Sequence, residues 1–310
     1  MEPFRQNVAL AIDGGGIRGT MVAKALAVVE ENVGKQCNEI FHLLAGTSTG
    51  SILSATIAAG LSAAEIHGLY EDQGPNIFKK SWRCLFPFKY LVHYIYPSDY
   101  FQAVLQEHLG EMTMGDLWAA EPQLDVVITA RDLVLNKTIF IKPWKDDFKD
   151  WKLWRAVLCS SSAPTQMPVV EGRYVDGGVG SYANPCYMAA YEAKFCLEWP
   201  LEETTLISLG TGRYPGGLEP YQADHFNAFD WVFPVIDTFS SDACVQQVRL
   251  VKTVFPELDF RRFEMDLPYP IPMDDTSSIA ALTDLGEELG HKILNDLVDE
   301  EVYADAGTPP

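Results

Sequence analysis

Two short stretches of this chain set serine and glycine in patterns that can do chemistry. GTSTG, residues 46 to 50, holds Ser48 between glycines. AIDGGGIRGT, residues 11 to 20, puts an aspartate and three consecutive glycines directly after a short apolar run. A serine hydroxyl at its own pKa is a poor nucleophile. It needs a base to take its proton, and acyl transfer also needs donors aimed at the oxygen that becomes negative. Consecutive amides at Gly14, Gly15 and Gly16, with no side chains in the way, can converge on such an oxyanion at the start of a helix whose dipole favours negative charge. Arg18 adds positive charge there or ties neighbouring loops together.

The glycine loop has a rival use. GGGIRG, residues 14 to 19, satisfies G-x-G-x-x-G, the pattern that seats a dinucleotide pyrophosphate on a helix N-terminus. That use also expects an acidic residue about 20 residues on, at the end of the second strand, to hold a ribose hydroxyl. Glu39 lies at about that distance but precedes the strand, whose end reads Gly46, Thr47, Ser48. A G-x-S-x-G between a strand and a helix relieves crowding at a tight turn and leaves the hydroxyl standing proud of the sheet. The plainer alternative is a small-residue turn that lets strand and helix pack closely, with Ser48 as a packing residue of a nucleotide-binding or structural α/β protein.

For the base, GRYVDGGVGSYANP, residues 172 to 185, is the best stretch: a short strand delivers Asp176 into a Gly177-Gly178 turn. A histidine in the ordinary Ser-Asp-His order would follow the aspartate, which leaves His225 and His291. Neither is flanked by a glycine turn, and His291 falls in a helical pattern that suits a surface or capping role. His42, inside IFHLL, suits a satisfied strand histidine, and His67, His93 and His108 precede the aspartate without a local signature.

The elements that must position these groups follow from periodicity. NVALAID, residues 7 to 13, is a compact apolar run of the kind that forms a buried parallel strand. Residues 19 to 34 follow with helical spacing and a C-capping Gly34. IFHLLAG, residues 40 to 46, reads as a second strand and residues 48 to 60 as a second helix. Residues 123 to 133 and 137 to 143 read as two strands joined at Asn136, and TTLISLGTG, residues 204 to 212, supplies another. The alternation predicts an α/β sheet with helices on its faces. From about residue 226 the tail alternates helical stretches with Pro-rich links.

A net charge of −20 argues against a nucleic-acid surface, since phosphates would be repelled unless the 23 Lys and Arg were gathered on one face. It excludes no lipid or small molecule. The six cysteines are scattered, with no CxxC and no pairing with histidine that would suggest a metal site, so free thiols in a reducing compartment are expected. The N-terminal stretch has too short an apolar run for a signal peptide, and no run is long and apolar enough to cross a bilayer. The expectation is a cytoplasmic protein, soluble or peripheral to a membrane.

These residues resemble the patatin-like phospholipase family, lipid acyl hydrolases that use a Ser-Asp dyad. DGGGIRG (13 to 19) is similar to the family's oxyanion loop, GTSTG (46 to 50) to its nucleophile elbow and DGG (176 to 178) to its aspartate motif. SSSAPTQMP (160 to 168), ANP (183 to 185) and SLGTG (208 to 212) also resemble stretches that members carry. Six matches in the right order span roughly residues 8 to 212. Carried over residue by residue, the resemblance implies Ser48 as nucleophile, Asp176 as the base acting directly on it, and Gly14, Gly15, Gly16 and Arg18 around the oxyanion. It further implies a three-layer α/β/α fold with a mostly parallel sheet, and hydrolysis of carboxylic esters in phospholipids or galactolipids through an acyl-serine, without metal or cofactor. Two departures touch substrate fit and packing rather than chemistry: Gln166 where members often have an aromatic, and Ala183-Asn184 where they often have two asparagines. An acyltransferase or a general esterase would use the same nucleophile.

Residues 77 to 97 hold Phe78, Trp82, Phe86, Phe88, Tyr90, Tyr94 and Tyr96 beside Lys79, Lys80, Arg83 and Lys89, with no acid. Aromatics and cations together suit a segment that sits among lipid headgroups, lines an acyl groove or forms a lid. The alternative is a second small core whose lysines face water, and Pro87 and Pro97 oppose one continuous helix. By this division residues 1 to 212 form the catalytic core and residues 213 to 310 a mainly helical extension packed on it.

Overall fold

The computed structural model describes residues 2–81, 93–121, 123–216, 221–226 and 232–299. Strand β1 (Asn7–Ile12) leads through the glycine loop into helix α1 (Gly19–Val33). A short α2 (Cys37–Ile40) precedes β2 (Leu43–Thr47), which is followed by α3 (Thr49–Ala58), α4 (Ala63–Ile77), α5 (Asp99–Leu109) and α6 (Asp116–Ala119). Then come β3 (Asp125–Asp132), β4 (Lys137–Ile141), α7 (Leu153–Ser161), β5 (Tyr174–Asp176), α8 (Cys186–Phe195) and β6 (Thr204–Leu209). The described chain closes with α9 (Val232–Val254), β7 (Asp259–Phe263) and α10 (Ile279–Leu294).

The strands form one sheet in the order β4-β3-β2-β1-β6-β7, with β5 paired to β3 off that path. The pairs β1–β2, β1–β6, β2–β3 and β6–β7 are parallel, whereas β4 and β5 run antiparallel to β3. Alternation along β1 explains its unbroken apolar run. Val8, Leu10 and Ile12 face a core shared with α1, α3, α4, α5, α7 and α10, while Ala9 and Ala11 face a second core shared with α8 and α9. Both faces of the strand are therefore buried, and the architecture is a three-layer α/β/α sandwich.

Helix α1 buries Met21, Val22, Ala25, Leu26 and Val29 at helical spacing and stops at Gly34, whose φ of 71° allows its N–H to reach the Glu30 carbonyl at 2.8 Å. The predicted strand at 40–46 begins later than its apolar run suggested. Glu39 folds back to accept the Gln36 N–H at 2.9 Å, so residues up to Ile40 make a capped helical turn and pairing starts at Leu43. Glu39 thus sits at the N-terminal end of β2, the opposite end of the sheet from the glycine loop. DFRRF, inside the tail expected to be helices and links, is instead the edge strand β7.

Of the expected interfacial segment, residues 82–92 lie outside the described residues. Its two flanks are tied together: the Ser81 N–H donates to Ile95 O at 2.9 Å, Phe78 meets Tyr96 edge to face, and the buried Tyr96 hydroxyl donates to Asp274 at 2.6 Å. The Tyr96 N–H donates to Gln166 O at 2.8 Å. Among the described residues no helix is long and apolar enough to cross a membrane.

Candidate active site

The register of β3 brings the serine and the aspartate together. β2 runs parallel to β3 and stops with Thr47 opposite Thr129; β5 runs antiparallel and stops with Asp176 opposite Ala130, one residue further along. Since β4 occupies the other edge of β3 over residues 128–132, β5 must lie on the β2 edge. Two strand ends therefore meet head-on along one edge of β3, with Ser48 and Asp176 at the junction.

Ser48 itself is strained. Its φ of 55° and ψ of −123° belong to a region that L residues rarely occupy, at a cost of about 1–3 kcal/mol that the surroundings must offset. They do so by clamping its backbone. The Ser48 N–H donates to Ser160 Oγ at 2.9 Å, and its carbonyl accepts from Ser51 Oγ at 2.6 Å and Ser161 Oγ at 3.1 Å. The flanking glycines are required by close approach. A Cβ on Gly46 would lie 2.2 Å from Gly50 O, and one on Gly50 would lie 2.1 Å from Ile12 O. The turn then launches α3 with Ser48 at its N-terminus.

Asp176 is buried, with 5% of its surface exposed. Its N–H donates to Ser162 O at 3.0 Å, so the serine run closing α7 braces both members of the pair. The Asp176 Oδ1 accepts the Gly178 N–H at 2.7 Å. Burial pushes its pKa up to about 6, while hydrogen bonds from the Ser48 hydroxyl and the Gly178 amide pull in the other direction. The carboxylate is thus ionised at neutral pH and poised to accept a proton from the hydroxyl beside it.

The glycine loop borders the same point. A Cβ on Gly14 would lie 3.3 Å from Ser48 Cβ, but the Gly14 N–H is committed to Ala183 O at 2.9 Å. Among the described residues, the Gly15 and Gly16 amides donate to no protein acceptor. Of the three amides expected to converge, two are thus open and one fastens the loop. Arg18 Nη1 donates to Gly212 O at 3.2 Å, and Thr211 Oγ1 donates to Gly14 O at 2.7 Å, so the loop after β6 straps the glycines down.

Beneath the loop lies an ionic network. Arg262, from β7, grips Asp13 with both terminal nitrogens, Nη1 to Oδ1 at 3.0 Å and Nη2 to Oδ2 at 2.6 Å, and also donates to Ser208 Oγ at 2.8 Å and Glu264 Oε2 at 2.6 Å. Glu264 in turn accepts the Gly212 N–H at 2.8 Å. Burial pushes the Asp13 carboxyl up to about 6 against the pull of Arg262, and the bidentate guanidinium keeps it an anion at pH 7. Arg262 and Glu264 had no signal in the sequence, because nothing in DFRRFEM marks which arginine turns inward. The serine triplet could be noticed at 160–162, but not its role as a clamp.

The histidines are elsewhere. His42 precedes β2 and its Nδ1 accepts the Val8 N–H at 3.1 Å; His67 Nε2 bonds Thr283 Oγ1 at 2.9 Å; His225 and His291 are exposed. No histidine among the described residues hydrogen-bonds Ser48 or Asp176, and the titratable group that interacts with the serine hydroxyl is the Asp176 carboxyl.

Residues 10–190 match the family model described as patatin-like phospholipase. The chain is 27% identical over 350 residues to patatin-17 of Solanum cardiophyllum, covering 96% of this chain and 86% of that protein. It is 30% identical over 232 residues to a cGAMP-activated phospholipase of Escherichia coli, covering 68% of this chain and 64% of the relative. It is 29% identical over 220 residues to an intracellular phospholipase A2 of Caenorhabditis elegans, covering 66% of this chain and spanning only 19% of that longer protein.

Proposed function

The chain belongs to the patatin-like phospholipase family, and we propose that it hydrolyses carboxylic ester bonds of membrane lipids through an acyl-serine intermediate on Ser48. The observation that carries this reading is the head-on meeting of β2 and β5 along β3, which sets the Ser48 hydroxyl against the Asp176 carboxylate. In the first half-reaction Asp176 takes the Ser48 proton as Oγ attacks the ester carbonyl. The resulting oxyanion is held by the Gly15 and Gly16 amides, and the proton passes to the departing alcohol as the C–O bond breaks. Asp176 then deprotonates a water that attacks the acyl-serine. The fatty acid leaves, and the proton returns to Ser48.

In this reading residues 1 to 212 supply the reacting groups, and the chain from 213 onward buttresses them through β7 and α10. Gly14 fastens the loop, and Arg18 joins it to the strap after β6. Cys37, Cys159, Cys186, Cys196 and Cys244 are free thiols, which supports a reducing, cytoplasmic setting. The exposed Lys79 and Lys80, at the start of the aromatic segment 77–97, support peripheral contact with anionic lipid.

A serine-directed fluorophosphonate should label the parent and not Ser48→Ala, and a lipid panel with mass-spectrometric product detection should show free fatty acid that disappears in the variant. A folded parent that takes no label and releases no fatty acid would refute the hydrolase.

A further inference from the structure

The turn joining β3 to β4 consists of Leu133, Val134, Leu135 and Asn136, where hairpin turns in water normally carry glycine and polar residues. Leu133 is 49% exposed, Val134 68% and Leu135 52%. A run of exposed apolar residues is a liability unless something covers it in use. Its location is informative. β3 holds Thr129 and Ala130 opposite Thr47 and Asp176 and then continues to Asp132, so the tip overhangs the end of the sheet where Ser48 and Asp176 meet.

Neighbouring segments extend the patch. Val179, 54% exposed, sits on the turn that follows Asp176, and Val169, 43% exposed, lies on the strand-like strap before β5. The Leu133 N–H donates to Arg173 O at 2.9 Å and the Val170 N–H to Tyr174 O at 2.9 Å, which joins tip and strap into one surface. The tip is also pre-shaped. Asp132 Oδ1 accepts the N–H groups of both Val134 and Leu135 at 2.9 Å, so with the Leu133 bond all three apolar residues have satisfied amides. A loop without bare amides can enter a low-dielectric layer at little cost, whereas an unsatisfied one cannot.

Charge selects the occupant. The chain as a whole is strongly acidic, yet the tip is flanked by Arg131, Lys137 and Arg173. Its own carboxylate, Asp132, is buried and bonded to Arg173 at 2.7 Å, and nearby Glu171 is paired with Arg155. With Arg173 balanced by Asp132, Arg131 and Lys137 leave the tip net positive, and apolar side chains flanked by cations fit the boundary between acyl chains and anionic headgroups. We propose that the β3–β4 tip, with Val169 and Val179 beside it, docks this end of the sheet onto an anionic phospholipid surface and so aims the Ser48 cleft at the bilayer. The assignment rests on the lipid-hydrolase reading for its purpose, but its test is separate.

The experiment is sedimentation with mixed phosphatidylcholine–phosphatidylserine vesicles, alongside hydrolysis of a short soluble ester. Val134→Asp/Leu135→Asp should bind vesicles about tenfold or more weaker while soluble-ester turnover stays at the parent's level. Val134→Phe should bind severalfold tighter. Val254→Asp, which changes a residue exposed just before β7 at the opposite end of the sheet, should bind as the parent does. Equal vesicle binding by the aspartate variant and the parent, or no gain from the phenylalanine, overturns the proposal. Loss of a dimer in light scattering with vesicle binding unchanged would instead assign the patch to a second copy and overturn it equally. Failure of the parent to cleave any ester would sink the hydrolase reading and leave the vesicle result to stand or fall alone.

Discussion

Replacing Asp176 with asparagine should kill turnover and yet stabilise the protein. In the fold its carboxyl has a pKa of about 6 against an ordinary value of 3.8, because burial penalises the anion more than the Ser48 and Gly178 hydrogen bonds favour it. The folded state therefore binds a proton more readily than the unfolded chain. Stability from this group is fully present below pH 3.8 and is lost as pH rises to about 6. At about 1.4 kcal/mol per pH unit, the parent at pH 7 carries a penalty of about 3 kcal/mol that a neutral amide of the same shape avoids. Asparagine keeps an oxygen for the Gly178 N–H and a group to face the Ser48 hydroxyl, so little is lost in exchange. Urea unfolding followed by tryptophan fluorescence should show Asp176→Asn more stable than the parent at pH 7, by up to about 3 kcal/mol, with the gap closing towards pH 4. Asp13 titrates in the same range, so the difference between variant and parent isolates Asp176. Turnover of a soluble ester should fall by about a hundredfold to ten-thousandfold. A variant that is less stable at pH 7, or whose advantage does not shrink in acid, would refute the claim that the base is held in a desolvated, proton-hungry site.

Further outcomes follow from the same geometry. In the parent, kcat/KM should rise with pH through about 6 as Asp176 ionises; a pH–rate profile flat across that range would assign the base elsewhere. His225→Ala and His291→Ala should turn over a soluble ester at the parent's rate, since neither ring bonds to the serine or the aspartate. Arg262→Met should leave the buried Asp13 and the partly buried Glu264 without their cation, cost about 3–5 kcal/mol in urea unfolding and lower kcat by loosening the glycine loop. A methyl group on Gly15 would sit 2.3 Å from Thr211 Oγ1, so Gly15→Ala should displace an oxyanion donor and cost about a hundredfold to a thousandfold in kcat.

Local chemistry made much of this protein readable along the chain. The apolar runs of β1, β2, β3 and β6 are buried on both faces and so advertise themselves in composition. Gly34 and Asn136 mark a helix end and a turn because few residues tolerate a positive φ, and Gly46 and Gly50 mark an elbow because no side chain fits there. What lay beyond the sequence depends on register and on partners far away along the chain. Nothing near residue 48 or residue 176 says that their strands end one residue apart on β3, yet that offset is what puts hydroxyl against carboxylate. β7 was hidden because two of its buried residues are arginines, which interrupt the apolar pattern that Phe260 and Phe263 would otherwise make. An ion pair can bury a charge only when its partner, here Asp13, arrives from some 249 residues away. The commitment of the Gly14 amide to Ala183, and the freedom of the next two, likewise follow from how two distant loops pack, because a backbone N–H carries no residue identity for a sequence to record.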